Sequence, residues 1–251
     1  ARVEGVIEER IDRLDPELRE LLQVASVEGE RFTAEVLARV QSQPEREVVR
    51  QLSHELQRRH RLVQDEGLAQ VGYVRLSRYR FGHNLFHHYL YNSLSDAERL
   101  YLHRDVGRAL EEIVGEQTEE VAAQLAHHFE RSGLLDRAVQ YRLQAASQAR
   151  RLSGHDEAAA HLVRGLEMTA ALPPGPQQMH LETELQVNLG MVLIVLYGYA
   201  SPRVDRAFTR ARALLHELGD PPQSAQLLLG QLVFYLMRGE VNHVTQEGSR
   251  I

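Results

Sequence analysis

Apolar residues return every three to four positions along nearly the whole chain, which is the period of helices with one buried face. Val3, Ile7, Ile11 and Leu14 set the first such stripe. Asp15-Pro16 restarts a second helix, with Pro at its first position and Leu18, Leu21, Leu22 and Val24 inward. Glu28-Gly29-Glu30 breaks it, and Thr33 is expected to cap a short helix carrying Val36, Leu37 and Val40. Gln43-Pro44 ends that helix. A longer amphipathic one is expected from Glu45 to Arg61, burying Val48, Val49, Leu52 and Leu56.

Period-two alternation occurs in one place. Leu62-Val63-Gln64, an Asp65-Glu66-Gly67 turn and the stretch Val74 to Phe81 predict a short β-ribbon. Three helices followed by a hairpin form the pattern of a winged helix, with the helix from Glu45 in the recognition position. Beyond Asn84 the pattern is helical throughout. Helices are predicted near 84–94, 96–114, 119–131, 134–152, 155–171, 178–198, 202–218 and 223–238, separated by Gly- and Pro-rich breaks. Short turns between them predict antiparallel pairs, as in stacked helical repeats. Small residues recur within them: Ala138 and Ala145 after Gly133, Ala158 and Gly165 one hairpin later, then Leu189-Gly190 and Leu229-Gly230. Such positions let neighbouring helices approach closely. The expected fold is all-α apart from one small β-ribbon: a winged-helix-like domain over 1–115, then a tetratricopeptide-like helical-hairpin superhelix over 116–251.

Composition narrows the chemistry. At 251 residues, 43% hydrophobic and 25% charged, the chain reads as an ordinary globular protein. It has no Cys, which removes disulfides, thiolate nucleophiles and Cys-rich zinc sites. All 29 basic residues are Arg. A phosphate-binding loop of the GxxxxGK[ST] type needs its Lys, so this chain carries none. There is no GxSxG elbow and no GxGxxG after a strand, so no catalytic residue is assigned and no enzyme is expected. The net charge of −6 advertises neither nucleic acid nor membrane. No secretory leader opens the sequence, and the longest apolar run, Met191 to Leu196, is too short to cross a bilayer, so a cytoplasmic location is expected. The chain begins on Ala and its last helix stops abruptly, as expected of a piece of a longer protein.

Short stretches in a fixed order carry a resemblance. They are Tyr79-Arg80-Phe81-Gly82-His83-Asn84-Leu85, Tyr101-Leu102-His103, Ala126-His127-His128-Phe129 and His161 to Glu167. Gly198-Tyr199-Ala200-Ser201-Pro202 and Leu236 to Glu240 continue the series. Together they resemble the region downstream of the ATPase domain in bacterial STAND-class signalling ATPases, which include regulators similar to the maltose-regulon activator and ATPases attached to nucleotide cyclases. The resemblance implies a regulatory and sensing segment. Its repeats would take a protein or small-molecule input on a concave face, and its winged helix would relay that input to an upstream nucleotide-binding domain absent from this chain. ADP or ATP would then be a cofactor of the longer protein and not of this chain.

By the same resemblance His83 contacts the phosphates of bound ADP, although Gly82 and Asn84 depart from the family's usual Met and Asp. The local alternative is a capping or hydrogen-bonded histidine at the head of a helix. His83 and His87 lie four apart, and His127-His128 form a later pair, a spacing that can chelate zinc. No carboxylate completes such a site, so these rings are expected in interhelix hydrogen bonds and no metal is assigned. A stripe of Arg46, Arg50, Ser53, Gln57 and Arg61 carries no acid, and residues 45–81 hold eight Arg against five acids. Arg46, Arg50, Gln57 and Arg61 therefore form a candidate contact for DNA or for a neighbouring domain. The alternatives to the relay reading are a free-standing protein-binding scaffold and a winged-helix DNA-binding regulator.

Overall fold

Helix ends follow the local signals closely. The computed structural model describes residues 2–219, with side chains from Ile7 onward. Within it α1 (Arg2–Asp12) and α2 (Pro16–Glu28) meet at Pro16, whose fixed φ suits a first helical position. Helices α5 (Asn84–Ser93) and α6 (Asp96–Val114) are divided at Leu94-Ser95. There the Ser95 hydroxyl accepts the Glu98 N–H while the Glu98 carboxylate accepts the Ser95 N–H, a reciprocal cap. A 3₁₀ turn (Thr118–Val121) leads into α7 (Ala122–Arg131). Four more helices follow: α8 (Leu135–Arg151), α9 (His155–Thr169), α10 (Pro176–Tyr197) and α11 (Pro202–Glu217). The expected helix over 223–238, and the motifs Leu229-Gly230 and Leu236 to Glu240, lie outside the described residues.

The β region departs from expectation in three ways. First, a strand β1 (Arg31–Thr33) precedes α3 (Ala34–Val40) and joins the ribbon strands β2 (Val63–Val71) and β3 (Val74–Phe81) in an antiparallel sheet of order β1-β3-β2. Three residues are too few for alternation to announce a strand. Thr33 accordingly does not cap α3 with its side chain; its hydroxyl donates to the buried Glu28 carboxyl at 2.8 Å.

Second, Asp65-Glu66-Gly67 is not the turn of the ribbon but a bulge inside β2, where the register slips against Tyr79 and Arg78. The local turn chemistry is real, since Asp65 Oδ1 accepts the Gly67 N–H at 2.7 Å, but pairing continues past it. The chain reverses at Gly72-Tyr73. Gly72 has φ +56, and a Cβ there would overlap the Gln117 side chain, whose Oε1 accepts the Tyr73 N–H at 2.8 Å. Third, the helix from Glu45 is α-helical only through Arg50, as α4 (Glu45–Arg50), and continues as a π-helix from Gln51 to Arg59. Its wider turns keep Val48, Leu52 and Leu56 buried at intervals of four.

The described residues form two compact units, divided between Leu134 and Leu135. The first unit packs α1–α7 and the sheet around Leu21, Leu22, Leu37, Leu52 and Phe32, all essentially inaccessible. Phe32 stacks on Tyr79 at a ring separation of 6.2 Å and packs tilted against Phe81 at 5.1 Å, joining the sheet to that core. Helix α7 belongs to this unit. Gly107 of α6 lets it approach, since a Cβ there would lie 3.2 Å from the His128 Cβ.

The second unit is a run of sequentially packed antiparallel helices, α8 on α9, α9 on α10 and α10 on α11. Pairings across the turns fix the direction: Arg142 reaches His161 at 3.1 Å, and Arg210 pairs with Glu182 at 2.7 Å. The small residues sit at the contacts. Ala138, Ala145 and Ala158 are buried, and a Cβ on Gly165 would lie 2.7 Å from Leu185. Helix α10 has 22 residues, and an 18-residue stretch of it has a mean hydropathy of 1.2, enough by length and composition to cross a membrane. Its place between α9 and α11 accounts for part of that apolarity, with Leu185, Leu189 and Val192 buried, while Met191, Val195 and Tyr197 are exposed.

Gly190 is the most crowded of these points, because a Cβ on it would meet three atoms of the buried Phe208 ring at 2.7, 2.8 and 3.0 Å. Gly190→Ala is expected to destabilise the protein by about 1–3 kcal/mol despite the better helix propensity of Ala. Chemical denaturation of Gly190→Ala, Phe208→Leu and the double variant checks this. The double variant should recover part of the Gly190→Ala loss, and strict additivity would count against this contact.

Candidate functional site

His83 is set at the junction of sheet and helix. Phe81 ends β3 in the core, and the Gly82 N–H donates to the Leu62 carbonyl at 2.7 Å, which pins the chain as it leaves the sheet. His83 follows with extended backbone angles (φ −152, ψ 139) as the N-cap of α5. Its Nδ1 accepts the Leu85 N–H at 3.1 Å, and its carbonyl accepts the Phe86 N–H at 3.0 Å. The local alternative, a capping histidine, is thus realised in this geometry. Capping also sets the tautomer: with Nδ1 accepting, a neutral ring carries its proton on Nε2. The ring is exposed, so Nε2–H remains a donor toward an anion in solvent.

The arginine stripe does not stay on one face. Arg46 and Arg61 are exposed, Gln57 is half-buried, and Arg61 lies beyond the π-helix at φ +54. Ser53 turns inward, its hydroxyl 2.9 Å from that of Tyr79. Arg50 makes a two-point pair with Glu47, through Nε to Oε2 at 3.1 Å and Nη2 to Oε1. That pair holds the Glu47 carboxyl below its usual range and raises Arg50. Arg59 pairs with Glu55 at 3.0 Å. The β2 bulge aims Glu66 at three more cations: Arg31 at 2.9 Å, Arg80 at 3.3 Å and Arg78 at 4.0 Å. Pairs this exposed add little stability, but they offset charge that a phosphate backbone would otherwise meet.

The histidines are sorted by burial. His87 Nε2 lies 3.0 Å from the Ser26 carbonyl oxygen, and its ring packs 5.6 Å from that of Phe81. It does not join His83 in a shared site. His103 on α6 and His128 on α7 are both buried, with Nδ1 atoms 2.9 Å apart. The Tyr91 hydroxyl is 3.0 Å from His103 Nε2. His128 Nε2 is buried without a partner, and the exposed His127 ring stands 5.6 Å from both rings. Burial lowers His103 to about 3, helped by the nearby charges of His127, Arg131 and Arg99. Burial likewise holds His128 well below the usual histidine range. One Nδ1 must donate and the other accept, and burial disfavours a charge on either ring. Among the described residues no group of three or more His, Asp or Glu side chains is placed to hold a metal ion.

The second unit carries a groove that no sequence motif announced. It lies along α9, α10 and α11 and encloses about 920 Å³. Val163 of α9 and Leu189, Leu193 and Leu196 of α10 line it, and Arg203, Arg206 and Arg210 of α11 border it. A volume near the upper end of ordinary ligand sites, apolar with a few charged groups, suits a ligand held by shape and charge. The signal that could have found it is the row Arg203, Arg206 and Arg210, at i, i+3 and i+7 on one helix face.

No known protein family, curated protein or solved structure matches the chain.

Proposed function

We propose that this chain is the regulatory and sensing segment of a signal-transduction ATPase. A protein or small-molecule input binds the helical second unit, and the first unit relays that binding to a nucleotide-binding domain elsewhere on the polypeptide. The observation that carries the reading is the α9–α11 groove, an open binding surface on a stack of antiparallel helices joined by short turns. Such stacks are built to present extended surfaces to partners, and tetratricopeptide repeats are the form closest to the small-residue pattern read above.

Two features of the first unit support the relay. Its order of α2, β1, α3, α4 with its π-helical extension, β2 and β3 runs helix, strand, helix, helix, hairpin. That order suits a winged helix, here used for packing against another domain because Glu47, Glu55 and Glu66 offset its arginines. His83 caps α5 with Nδ1 and keeps Nε2–H for an anion, so capping and contact with an ADP phosphate are compatible in one ring.

Titration of ADP and ATP tests the reading, into this chain and into a polypeptide in which it follows a nucleotide-binding domain. The longer polypeptide is expected to hold ADP, this chain alone to bind neither nucleotide, and His83→Ala to weaken ADP retention by about tenfold, the effect of one lost charge-assisted hydrogen bond. Unchanged ADP affinity and unchanged basal output in His83→Ala would remove the histidine from the switch. Absence of nucleotide binding by either polypeptide would leave a free-standing scaffold as the better reading.

A further inference from the structure

We infer that the groove of the second unit receives an acidic amphipathic α-helix from a protein partner. The inference rests on the interaction reading above and specifies what that surface binds.

The groove favours a helix over other occupants. Its walls are three α-helices, whose interior backbone groups are spent on their own hydrogen bonds. An extended peptide laid along them would find no ladder to complete, and its backbone amides would lose water without gaining partners. A helix arrives with its backbone already satisfied. The floor fits one: over the buried Leu189 and Leu193, Leu196 is partly exposed, and Val163 of α9 and Tyr197 of α10 face the same space with 45% and 51% of their surfaces open to solvent. Apolar side chains repeating at i, i+3, i+4 and i+7 on the incoming helix would cover them.

Charge selects its polar face. The groove is bordered by Arg164, Arg203, Arg206 and Arg210 against Asp156, Glu167 and the Glu182 that pairs with Arg210, a local excess of one positive charge in a chain whose net charge is −6. Three of these arginines form one row on α11. At 1.5 Å per residue the row from Arg203 to Arg210 spans about 10 Å, two turns of a facing helix. Carboxylates at i, i+3 or i+4, and i+7 on that helix would meet it. The arginines are held in different states. Arg210 is steadied by Glu182, with contacts of 2.7 and 3.0 Å, and Arg203 stacks over the Tyr197 ring at 4.9 Å, which leaves the edge of its guanidinium free to donate. Arg206 is exposed and makes no ion pair among the described residues. A nucleic acid would find an apolar floor and three carboxylates where it needs cations.

Fluorescence anisotropy on the full chain, with labelled synthetic helices of about four turns, tests the assignment. One peptide carries Leu at i, i+3, i+4 and i+7 beside a stripe of Glu. The second replaces each Glu by Lys, and the third shuffles the first so that no face is apolar. The Glu peptide is expected to bind at least about tenfold more tightly than either control, and to weaken as salt is raised. Arg203→Glu with Arg206→Glu should invert the preference between Glu and Lys peptides. Both positions are exposed, so circular dichroism should show an unchanged fold. A Glu peptide that binds no better than the Lys or shuffled peptide, or a preference untouched by the double variant, overturns the inference. Ala160→Trp, which fills the groove, then decides separately on the interaction reading. Altered output of the longer signalling protein keeps the groove as an input site for a ligand of other chemistry, and unchanged output removes it.

Discussion

Acidification from pH 7 to about 4 is expected to unfold the first unit, and His103→Leu with His128→Leu to remove most of that sensitivity. Both rings are neutral and buried in the fold, His103 lowered to about 3 and His128 held well below its usual range, whereas in the unfolded chain each titrates near 6.5. Between those values the unfolded chain binds protons that the folded one refuses. Stability from this pair is therefore complete above pH 6.5 and falls as the pH drops toward 3. Each ring contributes a slope of about 1.4 kcal/mol per pH unit, so two units of acidification cost on the order of 5 kcal/mol, comparable to the whole stability of many domains. Replacing both rings together avoids leaving one Nδ1 buried and unpaired, the expensive outcome of a single substitution. Urea denaturation at pH 7, 6, 5 and 4 measures the slope. A wild-type midpoint that does not move, or a double variant equally acid-labile, would show that the pair is solvated or charged in the fold.

Glu28 is expected to give the opposite slope. Its carboxyl sits at the end of α2 with only 8% of its surface exposed, and its Oε2 is buried without a partner. Desolvation raises it to about 8, outweighing the hydrogen bonds from Thr33 that act the other way. The folded state thus keeps a proton that the unfolded state releases near 4.5. The stability contributed by the neutral carboxyl is full below pH 4.5 and is lost as the pH rises toward 8. Glu28→Gln keeps the acceptor for the Thr33 hydroxyl and removes the charge. The variant is expected to match the wild type near pH 5 and to exceed it at pH 9 by several kcal/mol, on the order of 1.4 kcal/mol for each unit by which Glu28 is raised. Denaturation midpoints at pH 5, 7 and 9 check this, and equal midpoints at pH 9 would mean that water reaches the carboxylate. Below pH 6.5 the two histidines outweigh the one carboxyl, so these three groups together place greatest stability near pH 6.5.

Neither group was legible as a pair in the sequence. His103 and His128 are 25 residues apart on different helices, and nothing in either segment marks the other as its partner. Glu28 read as part of a helix-breaking Glu-Gly-Glu, which it is. Its burial depends on β1, a strand of three residues that exists because β3 is there to pair with it. The groove between α9, α10 and α11 is likewise made of residues that alternate unremarkably along each helix. His83 was different, because its place at the head of a helix after a strand is a local fact. Its capping bond reaches only two residues ahead.

The local elements needed nothing beyond neighbouring residues. Helix limits from Asn84 to Glu217 follow Pro, Gly and Ser signals that act within one turn, and the apolar period gives each helix its buried face. Tertiary structure decided whatever required two distant segments to meet. The sheet pairing made a bulge of Asp65-Glu66-Gly67, which in isolation favours a turn, and so aimed Glu66 at three arginines. Along the helix from Glu45 the chain continued as a π-helix, with Leu52 and Leu56 held in the core, and this broke the arginine stripe that an α-helical period predicts. The physical reason is range. Capping, propensity and periodicity are energies of neighbouring residues, whereas burial, pairing and desolvation belong to the surroundings that the folded chain supplies.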